Sequence, residues 1–204
     1  MYIKQKLVLE SLSLDDFVLY NDYIMYKKFI PFATANSAYE IDFDFLKSIG
    51  AKTVFLDIDN TLDSYKALEP TDRAREFVNK VKSEFNVVLI SNNRKEKVTH
   101  YASKLGVPFI YKAFKPMPKK VNAFIKENSL NKDAIILIGD QMMTDVWCGH
   151  NVGIKVIMTN KLVKEDQWTT HINRIFERII KKYHVKHKNL RDWREIYGKM
   201  SKSA

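Results

Sequence analysis

The chain has 204 residues, 46% of them hydrophobic and 28% charged, with a formal net charge of +10 and a single cysteine, Cys148. That is the composition of a globular domain with room for an appendage, and it excludes an intrachain disulfide or a zinc site built mainly on cysteine. No apolar run reaches the roughly 18 residues that a spanning helix needs, and no secretory signal pattern opens the chain, so a cytoplasmic protein, at most peripheral at the inner face of the membrane, is expected. In chain order, residues 1 to 50 are aromatic-rich, with short helices predicted over Leu14–Tyr26 and Asp42–Ile49 and a turn at Phe29-Ile30-Pro31-Phe32. From residue 50 onward apolar runs alternate with amphipathic ones. The predicted strands are Thr53–Asp57, Asn86–Ser91, Pro108–Tyr111, Ala134–Gly139 and Ile154–Met158. The predicted helices between them are Thr71–Glu84, Lys95–Leu105, Lys119–Asn128 and Thr144–Asn151, the first with Ala74, Phe77, Val78 and Val81 at helical spacing. A further amphipathic helix follows over residues 169–183, with Ile172, Ile175, Phe176 and Ile179 inward, and the last twenty residues read as a polar, basic, partly disordered tail.

This alternation predicts an α/β fold of three layers, a parallel sheet with helices on both faces. In such sheets chemistry collects beyond the carboxyl ends of the strands. The expected division is an N-terminal extension over 1–50, a catalytic domain over 51–183 and a basic tail over 184–204. From His171 to Ala204 ten Lys or Arg stand against three Asp or Glu, a balance of +7, so most of the excess charge belongs to that tail. A tail of this kind suits a phosphate-rich partner, either nucleic acid or an anionic membrane, or is a solvated helix face.

The segment Thr53-Val-Phe-Leu-Asp57-Ile-Asp59-Asn-Thr61-Leu62 carries the strongest signal. Alternate strand residues point to opposite faces, so Asp57 and Asp59 converge only if the strand ends between them. Two carboxylates that close repel each other unless a cation neutralises them. One is then available as a nucleophile and the other as an acid or base. Three further polar signals follow, each after an apolar run: Ser91-Asn92-Asn93, Lys115 in Phe-Lys-Pro, and Gly139-Asp140-Gln141 with Thr144-Asp145. Taken singly, each is an ordinary turn or cap; their order is what gives them weight. Thr61 reads as a loop brace with its hydroxyl near the substrate, Asp63 as a solvated loop acid, and Cys148 and His150 as packing residues, too few for a tetrahedral metal site.

With these four motifs the chain resembles phosphatases of the haloacid dehalogenase (HAD) superfamily over about residues 50 to 160. The resemblance implies a Rossmann-like sheet of order 5-4-1-2-3. It implies Asp57 as nucleophile through an aspartyl phosphate, and Asp59 as general acid and base. Ser91, with Asn92 and Thr61, would bind the phosphoryl group, and Lys115 would neutralise it. Mg²⁺ would be held by Asp57, Asp140 and the backbone carbonyl of Asp59, with Asp145 nearby. Only 29 residues separate Thr61 from Ser91 and only 24 separate Lys115 from Asp140, too few for a cap domain. An open site suits large substrates or head groups presented at a surface.

The finer pattern is similar to the YqeG-type branch of subclass III-A, related to phosphatidylglycerophosphate phosphatases. It rests on Asp57-Ile-Asp59-Asn-Thr61-Leu62, Ser91-Asn92-Asn93, Lys115-Pro116, Gly139-Asp140-Gln141, Thr144-Asp145-Val146, and Asn173-Arg174 with Glu177. Where that branch has two adjacent glycines and then Asn-Arg, this chain has Cys148-Gly149-His150-Asn151. The expected function is a Mg²⁺-dependent phosphomonoester phosphatase acting on a lipid-borne or other large phosphate. The alternative is a HAD-fold binding module that contacts RNA or a ribonucleoprotein through the basic tail. A phosphoryl-accepting receiver domain is disfavoured by Asp59.

Overall fold

The computed structural model describes residues 26–163 and 171–202, with side chains from 177 onward in the second stretch. The helix expected over Leu14–Tyr26 lies, but for Tyr26, outside these residues, as do the side chains of Ile172, Asn173, Arg174, Ile175 and Phe176. Six strands are described: β1 (Ala33–Ala35), β2 (Thr53–Asp57), β3 (Asn86–Ile90), β4 (Phe109–Ile110), β5 (Ile135–Gly139) and β6 (Lys155–Thr159). They form one parallel sheet of order β1-β6-β5-β2-β3-β4. Its members β6-β5-β2-β3-β4 keep the expected 5-4-1-2-3 order. The sixth, β1, was not anticipated: Ala-Thr-Ala carries no apolar run, and it becomes a strand by pairing with β6, Ala33 opposite Ile157.

The helices are α1 (Phe43–Ser48), α2 (Asp72–Glu84), α3 (Lys95–Ser103), α4 (Lys119–Glu127), α5 (Trp147–Val152), α6 (His171–Lys186) and α7 (Trp193–Met200). They divide between the two faces of the sheet. On one face Val54 and Leu56 pack with Phe45 of α1, Val78 of α2, Tyr101 of α3 and Trp193 of α7. On the other, Phe55, Ile90 and Leu137 pack with Val121 and Ile125 of α4, Val152 of α5 and Ile180 of α6. All five residues of β2 are buried, as a central strand covered on both faces requires. Each fully buried aliphatic side chain contributes about 1.5–3 kcal/mol. The face of α2 that reads Ala74, Phe77, Val78 and Val81 is the buried one, and Thr71 caps the helix by accepting from Ala74 N at 3.2 Å.

Two expectations are corrected. Ile179 of α6 is exposed, and the buried positions are Ile180 and, one turn on, His184. The last twenty residues also do more than trail. Asp192 accepts from Arg194 N at 2.9 Å to cap α7, Trp193 is buried against Phe45, and Thr34 N of β1 donates to Arg191 O at 2.8 Å. The helix expected from Thr144 opens with a wide turn over Met142–Val146, in which Asp145 N and Val146 N both donate to Gln141 O at 2.8 and 3.3 Å. No described helix is long and apolar enough to cross a membrane.

Candidate active site

Strand register gathers the motifs at one edge of the sheet. Asp57 ends β2 opposite Ile90, which places Ser91 just beyond it; Leu56 faces Ile138, which places Gly139 and Asp140 at the same level. The chain leaving β4 returns over this edge and delivers Lys115. Parallel pairing of strands with matched ends thus converts four separated motifs into one cluster.

Lys115 lies at the centre, almost fully buried. Its Nζ is 2.6 Å from Asp57 Oδ1 and 2.5 Å from Asp145 Oδ1. Burial alone opposes an ammonium charge, but the Asp145 and Asp57 carboxylates reverse the balance and raise its pKa. Asp57 is pushed up to about 7, chiefly by burial and further by Asp145 and Asp59, with Lys115 pulling the other way. Asp140 is raised well above the carboxylate range by burial and by its neighbours Asp57 and Asp145. One lysine therefore does not balance this crowd of acids.

Carboxylate oxygens of Asp57, Asp140 and Asp145 all lie within 4.8 Å of one another. A six-coordinate Mg²⁺ with bonds of about 2.1 Å nearly fills such a span, and hard oxygen donors are what it selects. Asp145 is already engaged: besides Lys115, it accepts from Gln141 N at 3.0 Å through Oδ2. Asp57 is engaged too, by Lys115 at Oδ1 and Thr61 at Oδ2, which leaves Asp140 as the acid with the freest oxygens for a cation. The residues present fit a hard divalent cation, and the raised acids are the ones it would relieve.

The supporting contacts are specific. Asn92 grips the backbone of Lys115 from both sides, donating to its carbonyl at 3.1 Å and accepting from its N–H at 2.8 Å. Thr61, buried, donates to Asp57 Oδ2 at 3.3 Å. Both residues were expected at the substrate, and in the structure both side chains are engaged with the protein. Ser91 Oγ accepts from Asn93 N at 3.1 Å and keeps its own proton for another acceptor. Asp59 is fixed by Asn93 Nδ2 and by Lys97 Nζ at 2.9 Å, and Lys97 also donates to Tyr65 O at 2.9 Å.

Asp63 is not a solvated loop acid. It is buried and accepts from Tyr101 Oη at 2.6 Å, Thr71 Oγ1 at 2.7 Å and Thr71 N at 3.0 Å. These bonds tie the turn after β2 to α2 and α3. Asn60 in that turn holds φ 62, a conformation that asparagine tolerates. Gly139 is required by contact: a Cβ there would fall 2.7 Å from Asp145 Oδ2. Cys148 is buried, and burial pushes its thiol up to about 12, so it packs and does not react.

Sequence reasoning missed Lys97 and the grip of Asn92 on Lys115. The one available sign of Lys97 was its place in the first turn of the helix after Ser91-Asn92-Asn93, shared with Lys95.

Residues 19–163 match the family described as mitochondrial PGP phosphatase. The Bacillus subtilis (strain 168) protein named Probable phosphatase YqeG is 34% identical over 155 residues, covering 76% of this chain and 90% of that one. Among solved structures, a cobalt-bound deoxy-D-mannose-octulosonate 8-phosphate phosphatase from Haemophilus influenzae covers 56% of this chain and 81% of its own, with 13% identity and a TM-score of 0.42. A HAD family enzyme from Bacteroides thetaiotaomicron, in complex with magnesium and inorganic phosphate, covers 60% of this chain and all of its own, at 11% identity and a TM-score of 0.44. The family match and the YqeG relative show that the chain belongs to the mitochondrial PGP phosphatase family and is a HAD-type phosphatase.

Proposed function

We propose that the chain is a Mg²⁺-dependent phosphomonoesterase working through an aspartyl phosphate on Asp57, with a lipid-borne phosphate such as that of phosphatidylglycerophosphate as substrate. The observation that carries the chemistry is Lys115 buried between Asp57 and Asp145, with a carboxylate oxygen of Asp140 within 4.8 Å of oxygens of both. A carboxylate held by an ammonium and a hydroxyl is oriented for in-line attack. Asp57 attacks phosphorus and the bond to the leaving oxygen breaks, while Asp59 gives that oxygen its proton. Asp59 then takes a proton from water, whose oxygen attacks phosphorus and frees Asp57. Ser91 donates to a phosphoryl oxygen, and Lys115 balances its charge. Mg²⁺ on Asp57, Asp140 and the Asp59 carbonyl would supply further charge neutralisation.

The support for a membrane-held substrate is a set of exposed apolar side chains on loops that lead to the site. Leu68, Phe114 and Met117 are 71%, 59% and 63% exposed. They sit on the two loops that carry Asp63 and Lys115, beside exposed Lys66, Lys112 and Lys119. Phe114 is held at φ 55, an unfavourable region for a bulky side chain. Apolar tips among lysines suit the headgroup layer of an anionic bilayer. Nothing among the described residues favours RNA over this reading.

The chemistry is tested by phosphate release from an aryl phosphate and from phosphatidylglycerophosphate in micelles. Wild type should depend on Mg²⁺ and lose activity to EDTA, and Asp57→Asn should be inactive. Wild type as inert as Asp57→Asn on both substrates overturns the proposal. The exposed side chains are tested by cosedimentation with phosphatidylglycerol vesicles against phosphatidylcholine vesicles. Preferential binding should fall at high salt and in L68S/F114S/M117S; equal binding to both vesicles removes the surface reading.

A further inference from the structure

The carboxylate of Asp59 is held at both oxygens. Oδ1 accepts from Lys97 Nζ at 2.9 Å, and Oδ2 accepts from Asn93 Nδ2. A carboxylate offers about four lone-pair sites, so each oxygen keeps a free one for a proton or a water. The backbone is fixed as well: Asp59 pairs with Asp63 across the turn, whose carbonyl accepts from Asn60 N at 2.6 Å. What is left to Asp59 is rotation of its side chain, and the two donors remove it.

The two donors are not equivalent. Asn93 belongs to the turn after β3, where its N–H donates to Ser91 Oγ. Lys97 comes from α3 and has a second anchor, donating to Tyr65 O at 2.9 Å. Its ammonium thus joins the helix, the acid and the loop after β2. A hydrogen bond with charged partners is roughly twice as strong as a neutral one, so Lys97 supplies the larger share of the hold. The side chains of Lys97 and Asp59 are 22% and 25% exposed, which shelters the pair from water without placing Lys97 in the core. Lys95, in the same helix turn, lies over the Tyr111 ring at 5.7 Å instead.

We propose that Lys97 is a positioning residue, which aims Asp59 at the leaving oxygen and so fits the site to phosphate esters of alcohols. The inference rests on the phosphatase reading and deepens it by naming the class of leaving group. As an Asp57 oxygen bonds to phosphorus, the bond from phosphorus to the leaving oxygen breaks and its electron pair stays on that oxygen. A nitrophenolate carries the charge unaided. An alkoxide is too basic to do so and departs only as it takes the proton of Asp59. Esters of alcohols therefore depend on where Asp59 points, and esters of acidic phenols depend on it much less.

The test compares kcat/KM for para-nitrophenyl phosphate and para-nitrobenzyl phosphate, read as inorganic phosphate released by the full-length protein with Mg²⁺. The two esters differ by one methylene, so their contacts are nearly matched while one leaves as a phenolate and the other as an alkoxide. Because kcat/KM extends only to departure of the leaving group, the later attack of water, common to both esters, does not enter. The nitrophenyl-to-nitrobenzyl ratio should rise about 10²-fold in K97M, the scale of misplacing a reacting group by about 1 Å. It should rise at least as far in D59N. K95M removes an equal charge from the same helix turn and should keep the wild-type ratio. A general distortion of the site would lower both esters alike and leave the ratio in place. A K97M ratio equal to that of wild type, or a rise shared equally by K95M, overturns the inference while D59N still shows the rise. If D59N also keeps the wild-type ratio, Asp59 is not the acid and the role of Lys97 falls with it. Wild type inert on both esters overturns the phosphatase reading itself.

Discussion

Lys115 is more than a phosphate clamp, because it is also what allows Asp57 and Asp145 to be buried together. Its replacement by methionine removes the cation from both acids at once. Activity should fall by about 10²–10³-fold, the scale of losing one preorganised charge at a developing oxyanion. Stability should fall by about 3–5 kcal/mol at neutral pH, as when a buried ion pair loses one partner. Parallel measurement of kcat and urea unfolding checks both; a variant that loses activity with unchanged stability would mean that the two acids do not depend on Lys115 for their burial. At this scale most of the site was legible. Asp57, Ser91, Lys115 and Asp140 each follow an apolar run, and strand ends are where side chains leave the sheet. Lys97 was not legible, since Lys95 and Lys97 share one helix turn and periodicity does not say which leans over Asp59. Nor was the burial of Asp63, whose partner Tyr101 is 38 residues away along the chain.

Among the elements, the wide turn Met142–Val146 depends on Gly139. The turn folds Asp145 back over the end of β5, where any side chain at 139 would meet its carboxylate. Gly139→Ala should therefore destabilise by about 1–3 kcal/mol through overpacking. It should cut kcat by about 10²-fold through displacement of Asp145 from Lys115. A loss in kcat no greater than in a surface control would refute that coupling. Helix α6 illustrates a limit of pattern reading. Ile179 and Ile180 are adjacent, and the helical period alone does not choose between them; the packing does, placing Ile180 and His184 inward. Burial lowers the pKa of His184 below the ordinary 6.5, the Tyr26 backbone opposes this, and His187 adds to it. Tyr183 and Asn189 also lie against the ring. Between the lowered value and 6.5 the unfolded chain binds more protons than the folded one. The contribution of His184 is thus complete above pH 6.5 and is lost as pH falls through its folded pKa. Melting temperatures from pH 7.5 to 5.5 should fall more steeply for wild type than for His184→Gln; parallel slopes would show that His184 contributes nothing to acid sensitivity.

For the whole molecule, the parallel sheet follows from alternation of apolar runs and helices, which is visible in any window of the sequence, whereas its strand order came from the family resemblance. The contribution of the two flanks is not visible in either way. Ala33–Ala35 and Trp193–Met200 have no strong local signal, and each takes its form from the other side of the chain: Thr34 and Asp192 lie side by side at the rim of the sheet. The charge excess that suggested a free basic tail is in part tied down there, with Arg194 Nη2 3.1 Å from Glu40.

The join between these two flanks has a consequence for solubility. β1 is an outer strand, and an outer strand with free N–H and C=O groups is a template for pairing with another chain. Residues 191–192 occupy that position, with Thr34 donating twice to Arg191 O, at 2.8 Å from its N–H and 3.2 Å from its hydroxyl. Loss of the C-terminal segment would therefore leave the outer side of β1 open to pairing with another chain. A chain ending at Lys188 should keep strands β2 to β6 and its helical circular dichroism. It should also form concentration-dependent oligomers by light scattering, and Thr34→Pro should suppress them by removing the exposed donor. A truncated chain that stays monomeric up to millimolar concentration would show that the uncovered side of β1 does not pair with another chain.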